Sequence, residues 1–301
     1  MEAWVLFTFC AAAFQTVRFM LQKQLATAAL SATGATFARF VYSAPVIVVL
    51  LGGVWLSGVA MPALGPGFWT YAAVGGMAQI MATVCVVALF QQRNFAVGIT
   101  FKKTEVVQTV LIGLVVLGEG VSIAAFAVIL LGLVGVLMLS DPPGGQGRWW
   151  RRLCNRAAGL GLLSGALFAV SGVTYRAASL AVDSDAAGLR ALVTLAAVVV
   201  MQTLATWLWL LWRDPGQVGR VLAAHRVAKW VGLSSLAGSF CWFSAFTLQN
   251  AAYVNAVGQI ELALSLAASV LFFGERPTLR ELMGIALVMA SVLGLIMLVP
   301  S

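Results

Sequence analysis

Phe95-Ala96-Val97-Gly98-Ile99-Thr100-Phe101-Lys102-Lys103-Thr104-Glu105 opens an apolar stretch that runs on to Leu117-Gly118-Glu119, and the chain repeats the pattern later. The second copy reads Ala251-Ala252-Tyr253-Val254-Asn255-Ala256-Val257-Gly258-Gln259-Ile260-Glu261 and runs on to Phe273-Gly274-Glu275. Glu105 and Glu261, and likewise Glu119 and Glu275, stand 156 residues apart. A carboxylate halfway along an apolar span costs roughly 2.5–3.5 kcal/mol to insert, so it is retained for a purpose. Two of them in matched frames point to a transport site at the interface of two repeats.

Composition decides the solvent. The 301 residues are 61% hydrophobic and only 9% charged, with a mean hydropathy of +0.99. No soluble domain of this length hides so much apolar surface. Ten stretches of about 20 residues are long enough to span hydrocarbon as helices. They cover 3–21, 33–56, 67–90, 96–117, 121–139, 157–178, 187–211, 229–248, 252–273 and 279–299. The expected fold is an all-α polytopic membrane protein. The first stretch has no basic residue ahead of it and no small-residue cleavage site, so it reads as a retained helix.

The net charge of +8 is read as topology. Lys23, Arg93, Arg148, Arg151, Arg152, Arg156, Arg213, Arg220, Arg226, Lys229, Arg276 and Arg280 lie in the odd-numbered loops. The positive-inside rule makes those loops cytoplasmic and places both termini on the non-cytoplasmic side. The charges are scattered over short loops with no basic domain, which excludes nucleic-acid binding. Cys10, Cys85, Cys154 and Cys241 have no metal-ligand spacing, His225 stands alone, and no phosphate loop is present. No cofactor, metal or enzyme chemistry is expected.

The most polar loop, 141–147, divides the chain near its centre. Each side carries five spans: residues 1–140 form a first repeat, 141–156 a basic connector and 157–301 a second repeat. Asn94 matches Asn250, Phe90 matches Phe246, and Arg39 matches Arg190. An odd number of spans per copy makes the halves insert in opposite directions, giving ten transmembrane helices as two inverted five-helix repeats. With Leu117-Gly118-Glu119 and Phe273-Gly274-Glu275 closing the fourth and ninth spans, the chain resembles the drug/metabolite transporter superfamily, EamA type. That resemblance implies a ten-helix secondary transporter of small polar metabolites or drugs in a bacterial inner membrane, with a central cavity lined by both halves. The mid-span prolines of many members are replaced here by Lys102-Lys103-Thr104-Glu105 and Gln259-Ile260-Glu261. Basic residues in the odd loops imply an orientation opposite to that of many members.

Helical spacing puts Lys102, Glu105 and Thr109 on one face, flanked by Gln108; Gly258, Glu261 and Ser265 are the equivalents. Lys102 is expected to pair with Glu105. Glu261 has no basic neighbour on its own helix, so burial favours a proton on it and makes it the better proton-exchanging carboxylate. Lys103 points about 100° away from Lys102 and is left out of the site. Gln15, Arg18 and Gln22 stripe the first helix. The expected substrate and proton site is Glu105, Glu261, Lys102, Gln15, Arg18, Gln108 and Gln259, with Gln79, Asn94, Asn250 and Asn255 as further cavity candidates. Arg39 and Arg190 are read as matched gate or anchoring residues near the outer starts of their helices. Glu119 and Glu275 are read as caps of the following helices. Trp4, Trp55, Trp69, Trp207, Trp209, Trp212 and Trp230 are read as an interfacial belt, and the deeper Trp242 as lipid or core packing, with lining of the cavity as the alternative.

Three functions compete. The first is a secondary active transporter driven by exchange or proton movement. The second is an integral-membrane enzyme or lipid-handling protein, which lacks a catalytic set. A passive channel is the third, because a selective pore does not require charges buried in two repeats. Partners are then a small-molecule substrate and the lipid bilayer; the sequence leaves the oligomeric state open, a homodimer included.

Overall fold

The computed structural model describes residues 2–28, 30–90, 101–139, 156–273 and 278–299. The readings made at Arg93, Asn94, Cys154, residues 141–147, Gly274 and Glu275 lie outside these. Among the described residues helix is the only named element; Leu64 and Val182, in the connections between helices, form an isolated antiparallel bridge.

In chain order the helices are α1 (Ala3–Ala28), α2 (Ala32–Val41), α3 (Ala44–Leu56), α4 (Phe68–Phe90), α5 (Glu105–Leu117), α6 (Ile123–Leu139) and α7 (Arg156–Leu180). They continue as α8 (Ala187–Arg213), α9 (Gly216–Ala223), α10 (His225–Leu248), α11 (Ala251–Val257), α12 (Ile260–Phe273) and α13 (Leu279–Leu298). Seven spans, counting α2 and α3 as one, are long and apolar enough to cross a membrane; α5 and α6 are shorter apolar helices.

The distribution of side chains inverts that of a water-soluble fold. Val115 is 84% and Ile123 90% exposed, while Arg18 and Lys103 are each 3% exposed. Apolar groups outside and charges inside cost least when the surrounding solvent is hydrocarbon.

Three of the expected spans are broken. The second stops at Tyr42-Ser43, where Pro45 starts α3 and the Ser43 hydroxyl donates to the carbonyls of Arg39 (2.6 Å) and Gly232 (2.8 Å). Residues 103–104 form a turn between the helical residues 101–102 and α5, and Gly258-Gln259 form one between α11 and α12. Neither of the last two breaks uses a proline. Thr104 Oγ1 donates to the Phe101 carbonyl at 2.7 Å in the first break, and a glycine supplies the second. At its far end α5 is closed by Gly118, whose φ of 68° lies in the left-handed region that glycine enters without a Cβ clash.

The main packing pairs are α1 with α10, α4 with α7, and α6 with α13. Glycine lets these backbones approach: a Cβ at Gly135 on α6 would stand 2.7 Å from the Gly284 carbonyl on α13, and the reverse gap is 2.8 Å. The short α9 lies between α8 and α10, in a segment read from sequence as loop. Trp55, Trp69, Trp207, Trp209, Trp212 and Trp230 are exposed, whereas Trp4 is buried in the core and donates its indole N–H to Glu2. Trp4 is therefore a packing residue and leaves the expected belt.

Candidate functional site

The two breaks set the chemistry. Each leaves a glutamate in the first turn of a half-helix, Glu105 on α5 and Glu261 on α12. A helix N-terminus carries about half a positive charge in unpaired N–H groups, which favours a carboxylate there. From apolar length alone both residues fall inside continuous helices.

Lys102 and Lys103, adjacent in sequence, diverge at the turn and serve different carboxylates. Lys102 Nζ lies 2.8 Å from Glu105 Oε2 within the same segment. This is an ion pair by distance but not by hydrogen-bond angle, so the buried Oε2 keeps unused acceptor capacity. Lys103 Nζ donates to Glu261 Oε1 at 2.6 Å, joining the first half of the chain to the second. Glu261 therefore has the basic partner that its own helix lacks. The expectation of an unpaired Glu261 fails because the partner is distant in sequence, and Lys103 enters the site it had been left out of.

The stripe on α1 extends this pair. Gln15 Nε2 donates to Glu261 Oε2 at 2.6 Å, and Arg18 donates to Gln22 Oε1 at 2.8 Å and Gln15 Oε1 at 3.4 Å. Gln22 Nε2 reaches the Ala35 carbonyl on α2 at 3.3 Å. Arg18 is buried, so its guanidinium does not snorkel to the membrane surface.

Arg39 belongs to the same site. Because the second span breaks just after it, Arg39 sits inside the bundle and donates to the hydroxyls of Ser235 (2.6 Å), Thr83 (3.2 Å) and Ser239 (3.2 Å). Arg190 does something else, donating to the Ser179 and Leu180 carbonyls at 3.0 Å, at the end of α7. The sequence match between these arginines is not a match of roles.

These groups surround a cavity of about 50 Å³. Gln15, Arg18, Arg39, Lys102, Glu105, Gln79 and Asn255 give its polar lining, and Phe168, Trp242, Phe243 and Phe246 its aromatic wall. Trp242 stacks on Phe246 with centroids 5.6 Å apart, its indole N–H buried without a partner among the described residues. Gly258 makes room for that indole: a Cβ there would stand 2.5 Å from Trp242 Cη2. Lys102 Nζ lies 4.9 Å from the centre of the Phe168 ring.

Of the seven residues expected from sequence, Gln15, Arg18, Lys102 and Glu105 line this cavity, and Glu261 lies one hydrogen bond behind it. Gln108 and Gln259 do not line it. Gln108 donates to Thr104 Oγ1 at 3.3 Å and packs towards Gly165, while Gln259 borders a separate pocket of about 10 Å³ with Lys103. Asn255 donates to Thr109 Oγ1 at 2.9 Å, and Asn250 caps α11 through the Ala252 N–H. Glu119 is an ion-pair partner, accepting from Arg176 Nε at 2.8 Å instead of capping α6. Arg176 also donates to the Phe246 and Gln249 carbonyls at 2.7 and 2.9 Å, tying α7 to the end of α10. Arg176→Met is expected to lower stability by about 1.5–3 kcal/mol, the range for hydrogen bonds to charged groups, read as a lower thermal midpoint in detergent. An unchanged midpoint would remove this tie from the account.

Residues 155–297 match the EamA-like transporter family model. No curated protein matches the chain. A solved structure described only as "Crystal structure of protein" superposes with a TM-score of 0.71 over 99% of this chain and 97% of its own. At 16% identity it shows the fold alone. This is an integral, multi-pass membrane protein whose residues 155–297 match the EamA-like transporter family of the drug/metabolite transporter superfamily.

Proposed function

We propose that the chain is a secondary active transporter that moves a small polar metabolite or drug by alternating access, in exchange for a second solute molecule. It works as two inverted repeats of five membrane spans each, residues 1–140 and 157–301, in a bacterial inner membrane with both termini on the non-cytoplasmic side.

The packing supports the duplication. Exchanging the halves turns α1 into α7, the α2–α3 pair into α8, α4 into α10, α5 into α11–α12 and α6 into α13. The α1–α10 contact then becomes the α7–α4 contact, α5–α7 becomes the contact of α11–α12 with α1, and α6–α13 maps onto itself; all are made. A pseudo-twofold of this kind offers two near-equivalent packings, open to opposite sides.

One observation carries the transport reading: the Lys103–Glu261 bond joins the two halves directly behind a charged, mid-span cavity. Rocking of one repeat against the other must strain or remake this bond. Glu261 shares its charge with Lys103, so the pair stays balanced without a proton on the carboxylate, which favours exchange over proton coupling.

Counterflow in proteoliposomes tests this. A trapped unlabelled solute should drive uptake of its labelled form without any ion gradient, with a rate that varies little between roughly pH 5.5 and 8, well above the ordinary glutamate range. Uptake that needs no trapped solute would indicate a channel. No solute-specific uptake at all would leave an enzyme or lipid-handling protein. A steep rise on acidification would return the proton role to Glu261.

A further inference from the structure

We propose, on the reading that the cavity is the transport site, that its solute is an organic anion: a carboxylate carried on a small flat ring. The buried cluster holds four cations, Arg18, Arg39, Lys102 and Lys103, against two carboxylates, Glu105 and Glu261. Each carboxylate is taken by a lysine at 2.6–2.8 Å. The two guanidinium groups that remain meet only neutral acceptors among the described residues. Arg18 donates to two carboxamide oxygens and Arg39 to three hydroxyls. The two lie close enough for their charges to repel, and the nearby Glu261 carboxylate that attracts Arg18 is already held by Lys103 and Gln15.

A buried cation without an ion-pair partner of its own is costly, and among the described residues two such cations line one cavity. An anion entering between them relieves both costs at once, through charge-assisted and potentially bidentate hydrogen bonds. The indole N–H of Trp242, buried on the same wall without an acceptor, is an independent sign that an acceptor atom belongs here.

Shape narrows the class further. Trp242, Phe246, Phe243 and Phe168 present ring faces and edges to the cavity. Its volume of about 50 Å³ is room for about four waters at the ~10–15 Å³ each requires, so a ring-bearing acid enters only as these walls part. A zwitterion fits less well, because the Glu105 Oε2 acceptor that its ammonium would take lies 2.8 Å from Lys102 Nζ, whose like charge opposes it.

The test uses three probes with one phenyl group: phenylacetate, phenylglycine (the same acid with an α-ammonium) and benzylamine (the ammonium alone). Binding to the purified full-length protein in lipid nanodiscs is read by calorimetry and tryptophan fluorescence. Phenylacetate should bind at millimolar concentration or below, phenylglycine at least about tenfold more weakly, and benzylamine not at all. Arg39→Gln should weaken phenylacetate roughly 10- to 100-fold, the span expected for losing charge-assisted hydrogen bonds. Arg39→Lys, which keeps the charge but not the fork, should recover part of that loss and guards against a merely misfolded Gln variant.

Tighter binding of phenylglycine or benzylamine, no binding of phenylacetate, or binding indifferent to both Arg39 variants would overturn the proposal. Phenylacetate binding without counterflow supports the anion site and removes the transport reading. Counterflow of other solutes with no phenylacetate binding keeps the transport reading and removes the anion.

Discussion

Glu261→Gln should lower the stability of the purified protein by about 3–5 kcal/mol, because it strands the buried Lys103 ammonium without its counter-charge. In a thermal scan this is a fall on the order of 10 °C in the midpoint. Lys103→Met should be comparably damaging for the opposite reason, leaving the carboxylate alone with Gln15. The double variant should recover part of the loss, since replacing both charges removes the desolvation cost together with the attraction. A coupling between the two changes above about 1 kcal/mol in the double-mutant cycle is the expected readout. Additive losses would mean that the 2.6 Å contact does not hold the halves together. Counterflow should be lost in both single variants, since the bond must reform in each packing of the halves.

Gly165→Ala is expected to cut counterflow more than tenfold while the protein still folds. A Cβ at this position of α7 would stand 2.8 Å from the Lys102 carbonyl and 3.1 Å from Gln108 Oε1. The first of these neighbours is backbone and cannot swing aside. Overpacking of this kind costs about 1–3 kcal/mol and displaces whatever yields. Here that is the turn that aims Lys102 at Glu105 and Lys103 at Glu261. Gly159→Ala, earlier on the same helix, is the control: a Cβ there meets nothing within 4 Å. It should be neutral, or stabilising by up to about 1 kcal/mol through helix propensity. Equal counterflow in the two variants would show that α7 does not hold the turn in place.

Much of the site was legible in the chain because its costs are local. A charge in an apolar run is expensive wherever it stands, so Glu105, Glu261, Lys102 and Arg18 could be marked one at a time from their neighbours. The stripe Gln15-Arg18-Gln22 follows from helical spacing, and the structure turns it inward. Partners were harder to read. Lys103 was excluded because a continuous helix would have aimed it away from Lys102, and the turn at 103–104 cancels that geometry. Arg39 looked like a residue near a helix start because the break after Tyr42 leaves only a weak signal, Ser43-Ala44-Pro45. Trp242 could be marked from sequence only as deep, either packing or lining the cavity, since an indole in an apolar span packs anywhere. The wall it forms depends on Gly258, sixteen residues on and in the turn between α11 and α12.

The chain by itself determined the solvent, the helical class, the repeat of the glutamate pattern and the family resemblance. All of these follow from apolar length and from charges that hydrocarbon penalises wherever they occur. Only the tertiary structure decided which charge answers which. Lys103 and Glu261 are 158 residues apart, and neither the break that aims the lysine nor the α1 glutamine that steadies the carboxylate is implied by its own neighbours. Electrostatic pairing depends on distance in space, and apolar segments of similar hydropathy leave that distance free until their glycines and breaks pack.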